Sequence, residues 1–222
     1  MKQAQITSEN TAAKDLGVIF SSGIGGLTMI QEQVIKMHEK GPKSVSPMFV
    51  LTAIVNMAAG NIALRIGAKN ICTSVVIACA SGTNAIGEAY RQIKEGRAKV
   101  MVAGGAEASV NAHGTATKAN DAAEAKAINL VFGEDSRVLV GSTKAMTGHL
   151  LGAAGAIEAI AVVASLQKGR LPVNIGMTEQ DKECKVNVVT QAKAHPEKLE
   201  YALSNSLGFG GHNAVLAFRK WS

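Results

Sequence analysis

The sequence reads as a layered α/β protein built from parallel βαβ units. Three observations carry that reading. Short apolar or β-branched runs alternate with helical spacings along the chain. The segments that read as buried are rich in glycine and alanine, which lets helices press closely on a sheet. Finally, 47% apolar and 18% charged residues over 222 positions supply a core and exclude a disordered chain.

Each element follows in order. Leu16–Ser21 reads as a strand running into the glycine turn Ser22-Gly23-Ile24-Gly25-Gly26. Leu27, Ile30, Val34 and Met37 recur at helical spacing. Pro42 and Pro47 punctuate a loop, and Phe49–Leu64 reads as one helix rich in Ala and Ile. Ser74–Ala78 is a β-branched run expected as a buried strand. Ala80–Lys94 is helical, with Gly96 as its C-terminal cap, and Val100–Ala103 is a strand. In the second half, Ala119–Phe132 reads as a helix, Val138–Gly141 as a strand, and His149–Gln167 as a helix ending at Gly169. Val186–Val189, Ala202–Ser204 and Ala214–Phe218 complete the strands.

The halves echo one another. Ile93-Lys94-Glu95-Gly96-Arg97 resembles Leu166-Gln167-Lys168-Gly169-Arg170. Each stretch follows an almost uncharged helix, expected to open on Cys79 in one case and His149 in the other. The spacing implies a duplicated βα unit with two buried central helices. A boundary falls at Val110/Asn111, giving expected domains of 1–110 and 111–222.

Composition bounds the partners. The 23 basic and 17 acidic residues leave a net charge of +6, which admits an acidic partner. Basic residues are scattered and aromatics are only 4%, which argues against nucleic-acid binding. No apolar run is expected to reach the ~18–20 residues of a membrane span. The polar start from Met1 to Thr7 lacks the apolar stretch of a secretory signal. Cys72, Cys79 and Cys184 form neither a disulfide framework nor a zinc spacing, which suits the cytoplasm.

The chemistry centres on Cys79, in Val76-Ile77-Ala78-Cys79-Ala80-Ser81-Gly82-Thr83. A thiol where a strand turns into a helix of small residues feels the positive end of the helix dipole, which favours thiolate. The backbone N–H groups of such a turn can bind an oxyanion. The plain alternative is a buried structural cysteine, the reading given to Cys72 and Cys184. His113 and His149 are flanked by glycine and small residues, so other groups can approach them. Lys144 lies in a stretch with few other charges. Glu124 and Glu158 fall in small or apolar helices, so each requires a cation or N–H donors nearby. Ser204-Asn205-Ser206-Leu207-Gly208-Phe209-Gly210-Gly211 is a glycine-rich loop that can be a hairpin or can bring N–H groups to a ligand.

Taken in order, these motifs resemble the elongating β-ketoacyl-acyl carrier protein synthases, condensing enzymes of the thiolase-like superfamily. Asn111-Ala112-His113-Gly114-Thr115 and Ser142-Thr143-Lys144 through Gly155 are close to signatures. One Cys with two His separates this branch from thiolases, which use a second cysteine, and from initiating synthases, which carry Asn where His149 stands. The resemblance implies a layered αβαβα fold with duplicated βαβ units, here incomplete. It implies that Cys79 takes an acyl group, while His113 and His149 polarise the malonyl thioester. Lys144 and Glu124 would orient the histidines. The N–H groups of Cys79 and Phe209 would form the oxyanion hole, the Phe209 ring would gate malonate, and Ile24 would control the acyl pocket. No cofactor is required for that reaction, and Asn111, Glu158, Ser204 and Asn205 match a structural monovalent cation site of relatives. Acyl carrier protein is the implied partner, docking near Lys43, and relatives are homodimers.

The chain departs from the family pattern. It is shorter than typical members, lacking an opening segment and the stretch between Val110 and Asn111. Leu207 stands where Phe is usual and Ile71 where Pro is usual. The alternative reading is an inactive, shortened synthase that self-associates or binds a full-length synthase. A thiolase acting on coenzyme A thioesters is disfavoured by the lack of a cysteine in the tail loop.

Overall fold

The computed structural model describes every residue except Lys2, residues 106–116, Glu197 and Ser222. The chain divides into two compact units. The first comprises Met1–Ser109, Leu151–Ala159 and Ser204–Leu216; the second comprises Val110–Leu150, Ile160–Leu203 and Ala217–Ser222.

The first unit is organised around β1 (Leu16–Ser21), followed by α1 (Leu27–Lys40), α2 (Phe49–Ala53), α3 (Met57–Ile66), β2 (Cys72–Thr73), α4 (Ser81–Lys94) and β3 (Val100–Gly105). β1 is the middle strand, parallel to β2 on one side and to β3 on the other. Its side chains alternate between two faces, as a strand requires. Val18, fully buried, packs on Ala59 and Ala63 of α3 with Phe20 and Val102. Ile19, on the opposite face, packs on Ala85 and Ala89 of α4 with Val75 and Met101. Alanine at each contact lets both helices lie close, producing three layers. Gly17 leaves room for the flanking segments of the sheet: a Cβ there would sit 2.5 Å from Met101 Sδ on β3 and 3.0 Å from the Ile71 carbonyl oxygen.

The second unit carries α5 (Lys118–Phe132), β4 (Leu139–Val140), α6 (Lys144–Thr147), the C-terminal part of α7 (Ala154–Lys168) and β5 (Asn187–Val188). β4 and β5 pair in parallel. Asn129 donates to the Lys185 carbonyl, and Asn174 accepts the Ser142 N–H, so side chains tie the loops around this short ladder. The chain finishes in a hairpin of β6 (Tyr201–Gly208) and β7 (His212–Arg219), turned by a 3₁₀ segment at Phe209–Gly211.

Four expectations need correction. The helix expected over Phe49–Leu64 is broken into α2 and α3. The Ala53 carbonyl, which would receive Met57 N–H in a continuous helix, instead accepts Gly26 N–H at 3.0 Å. The strand expected at Ser74–Ala78 is not formed; the ladder occupies only Cys72–Thr73, just before it, and hydroxyls bond the chain from there on: Ser74 Oγ donates to the Phe20 carbonyl, and Ser21 Oγ accepts Val75 N–H. The helix expected from His149 begins only at Ala154, after a 3₁₀ turn at Leu151–Ala153 in which Leu151 has φ 43°. The stretch Leu151–Lys168 is also long and apolar enough, with a mean hydropathy of 1.3 over 18 residues, to match a membrane span by length and composition. Only 39% of that stretch is buried in the structure, and a single such helix is weak evidence for a membrane span, since a core helix can show the same composition.

The echo between halves has a structural counterpart. Laying Gly96-Arg97 over Gly169-Arg170 sets Ala78 on Leu151, Cys79 on Gly152 and Gly82 on Gly155. Ala78 and Leu151 are both left-handed, with φ of 49° and 43°, and each opens a 3₁₀ turn leading into a helix of alternating small residues. The counterpart of Cys79 is therefore Gly152, rather than His149.

Candidate active site

Cys79 sits in the 3₁₀ turn Ala78–Ala80 that feeds α4, and it is 6% exposed. The corner is made by Ala78 at φ 49°, a conformation disfavoured for any residue with a Cβ. Ser81, fully buried, holds the corner with one hydroxyl. Its Oγ accepts Ile77 N–H at 2.9 Å and donates to the Ala78 carbonyl at 2.6 Å. The result is a sharp turn into α4 with the thiol at the helix entrance.

The small residues beyond Cys79 have a packing reason. A Cβ on Gly82 would lie 2.7 Å from the Gly152 carbonyl oxygen and 3.0 Å from Ala156 N. A Cβ on Gly155 would collide with Thr83 Oγ1. The openings of α4 and α7 thus cross at glycine. Thr83 Oγ1 and Ser206 Oγ are 2.6 Å apart in a buried hydrogen bond that joins the first turn of α4 to β6.

β6 leads into the Phe209 turn. A Cβ on Gly208 would sit 3.0 Å from the Ile77 carbonyl oxygen, so the backbone just before Phe209 lies against the residue two before Cys79. The Phe209 side chain is 75% exposed, and Gly210 and Gly211 both have positive φ. Ile24, 50% exposed, projects from a turn in which Gly25 N–H donates to Ser22 Oγ.

Cys79, Ile24, Glu158, Ser204, Asn205 and Phe209 belong to the first unit. Glu124, Lys144 and His149 belong to the second. Glu124 lies half-buried on α5, Lys144 half-buried at the start of α6, and His149 half-buried just after it. His113 and Asn111 lie outside the described residues. Cys72 is exposed. The Cys184 thiol is pushed up by desolvation, then by the carboxylates of Asp181, Asp121 and Glu183.

Among the described residues no cluster of three His, Cys, Asp or Glu side chains is arranged to hold a metal. Glu158, Ser204 and Asn205, the described members of the expected monovalent-cation site, each carry an oxygen donor. Ser204 Oγ is buried without a hydrogen-bond partner, as an oxygen reserved for such an ion would be.

Ser81, Thr83, Ser206 and Gly155 were not singled out by sequence reasoning. The pairing of Gly82 with Gly155 in the echoed helices was the available signal. Thr83 and Ser206 are far apart along the chain and carried none.

Comparison with known proteins bears on the family and the fold. Residues 74–178 match the family model for the beta-ketoacyl synthase C-terminal domain. The 3-oxoacyl-[acyl-carrier-protein] synthase 2 of Staphylococcus aureus strain N315 is 31% identical, with 100% of this chain and 79% of the relative covered. That alignment runs over 327 positions against 222 residues here, so the surplus positions face gaps in this chain. The ishigamide ketosynthase/chain length factor superposes with a TM-score of 0.87 at 20% identity, covering 100% of this chain and 79% of that one. A type II PKS acyl-carrier protein in complex with its ketosynthase bound to the hexaketide gives 0.81 at 18% identity, covering 100% and 82%. The fold is thiolase-like, and with a relative this similar over its full extent the chain belongs to the beta-ketoacyl synthases, a family of condensing enzymes of the acyltransferase class.

Proposed function

We propose that this chain lengthens fatty acyl chains by decarboxylative Claisen condensation on acyl carrier protein. The single observation that carries the reading is the buried thiol of Cys79 at a left-handed corner opening onto a helix N-terminus. Acyl transfer needs a thiol beside N–H groups that can receive an oxyanion, and a thiol at the entrance of a helix supports that reading.

The steps balance as follows. The Cys79 thiolate attacks the thioester carbonyl of an acyl-carrier protein. The new bond to Sγ forms, the old C–S bond breaks, and the carrier leaves as its thiol, taking up the proton that the Cys79 thiol gave up. Malonyl-carrier protein then loses CO₂, and the electrons of the broken C–C bond pass into an enolate. His113 and His149 donate hydrogen bonds to its oxygen, oriented by Lys144 and Glu124. The enolate carbon attacks the acyl-Cys79 carbonyl, whose oxyanion is received by the N–H groups of Cys79 and Phe209. Collapse expels Cys79 and gives a 3-oxoacyl product two carbons longer. Phe209, exposed at the hairpin turn, gates malonate, and Ile24 borders the acyl pocket. Asn111, Glu158, Ser204 and Asn205 would hold a structural monovalent cation, which would supply positive charge beside Glu158 and take no part in a step.

The two halves 1–110 and 111–222 act as the paired repeats of one synthase. The working form is a homodimer that receives the acidic carrier protein near Lys43, in the cytoplasm, where three free cysteines stay reduced. A second reading is favoured by the surplus of aligned positions: a shortened synthase without catalysis that associates with itself or with a full-length synthase. The test supplies octanoyl- and malonyl-acyl carrier protein and measures CO₂ release and 3-oxodecanoyl product. Turnover abolished by Cys79→Ala supports condensation. No turnover, with co-elution on a full-length synthase, supports the second reading.

A further inference from the structure

We infer that Thr83 is a positioning residue for acyl transfer: with Ser206 it holds the Cys79 elbow and the Phe209 turn at one separation, so that both backbone N–H groups meet the same oxyanion. The inference rests on the proposed function and goes beyond it by naming what aligns the two halves of the oxyanion hole.

The Cys79 turn and the Phe209 turn belong to segments distant in sequence, and no backbone ladder between them is required by either element. A hydroxyl pair bridges them, Thr83 Oγ1 to Ser206 Oγ at 2.6 Å, with the two residues 1% and 5% exposed. Thr83 lies on the first turn of α4, whose entrance is Cys79; Ser206 lies on β6 just before Gly208 and Phe209. The second point of approach is Gly208 against the Ile77 carbonyl. Two contacts, one on each side of the thiol, determine the spacing, and a single contact would leave a hinge. Gly155 adds a wall, since any Cβ there would occupy the place of Thr83 Oγ1. Water is excluded from this bond, so it holds its geometry more firmly than an exposed pair would.

The chemistry separates positioning from general support. Acylation of Cys79 by a thioester develops an oxyanion and depends on where the two N–H groups point. Alkylation by iodoacetamide displaces iodide from carbon and develops none. A loss of alignment therefore slows the first reaction and spares the second, and small misplacements are enough for a large effect.

The experiment uses the full chain, with octanoyl-N-acetylcysteamine as acyl donor and iodoacetamide as alkylating agent. Both are read at Cys79 by peptide mass spectrometry. Thr83→Val keeps the shape and removes the bond. The expected result is acylation slowed roughly tenfold with alkylation within about twofold of the parent. Thr83→Ser restores acylation, and Ser206→Ala reproduces the Val variant from the strand side, which also serves if Thr83→Val does not fold. Acylation at the parent rate in the Val variant overturns the inference. So does an equal fall in both reactions, or a failure of Thr83→Ser to recover. A parent chain that alkylates but is never acylated rejects the proposed function itself, whereas acylation indifferent to Thr83 rejects only this inference.

Discussion

Ala78 occupies a backbone region that costs an L-residue roughly 1–2 kcal/mol, and the surrounding bonds have to hold it there. Ser81 supplies two of them through a single oxygen. Ser81→Ala leaves the part-buried Ile77 N–H without its acceptor, which costs about 1 kcal/mol. Denaturant melting should therefore show a lower midpoint with an unchanged slope, and an unchanged midpoint would remove Ser81 from the corner. Cys184 provides the contrasting thiol. Desolvation and neighbouring carboxylates raise its pKa, so it stays protonated and unreactive to a higher pH than an ordinary thiol. Iodoacetamide labelling of Cys184 should rise only above the pH range of a free cysteine peptide, and Asp181→Asn should move that rise downward. Labelling that follows the free peptide would remove the carboxylates as its cause.

At the scale of elements, glycines that look alike in sequence do opposite work. Gly60 lies inside α3 with nothing within 4 Å of the place a methyl would take, so Gly60→Ala should stabilise by about 0.5–1 kcal/mol through helix propensity. Gly155→Ala drives a methyl into Thr83 and should destabilise by about 1–3 kcal/mol. Thermal melts that shift both variants in one direction would contradict the crossing of α4 and α7. The same contrast explains how much was legible. β1 could be read from its apolar run to its ends, and α4 and α5 to within a residue or so, because local pattern and packing agree there. The break after Ala53 could not be read, since a glycine loop more than twenty residues upstream takes its carbonyl. The strand expected at Ser74–Ala78 was misplaced for a similar reason: β2 lies just before it, and the hydroxyls of Ser21 and Ser74 substitute for ladder bonds beyond Thr73. For the site, the thiol and its small-residue helix were visible in the local motif. The bond from Thr83 to Ser206 was not, because it belongs to the tertiary structure alone.

For the whole molecule, the end of α5 leaves three consecutive apolar side chains uncovered. Leu130 is 79% exposed and Val131 75%, with Phe132 beside them. Adjacent exposed apolar side chains of this size favour association. Sedimentation velocity should show concentration-dependent growth beyond the single chain, and Leu130→Lys with Val131→Lys should reduce it. A parent sample that remains single at every concentration would contradict that expectation. The paired left-handed corners at Ala78 and Leu151 bear on a different measurement. They repeat one bend of the backbone, yet only the first is followed by sulfur; the second is followed by a hydrogen on Gly152. A burst titration with an activated acyl donor should accordingly reach its end point at one equivalent per polypeptide, however symmetrical the scaffold beneath it.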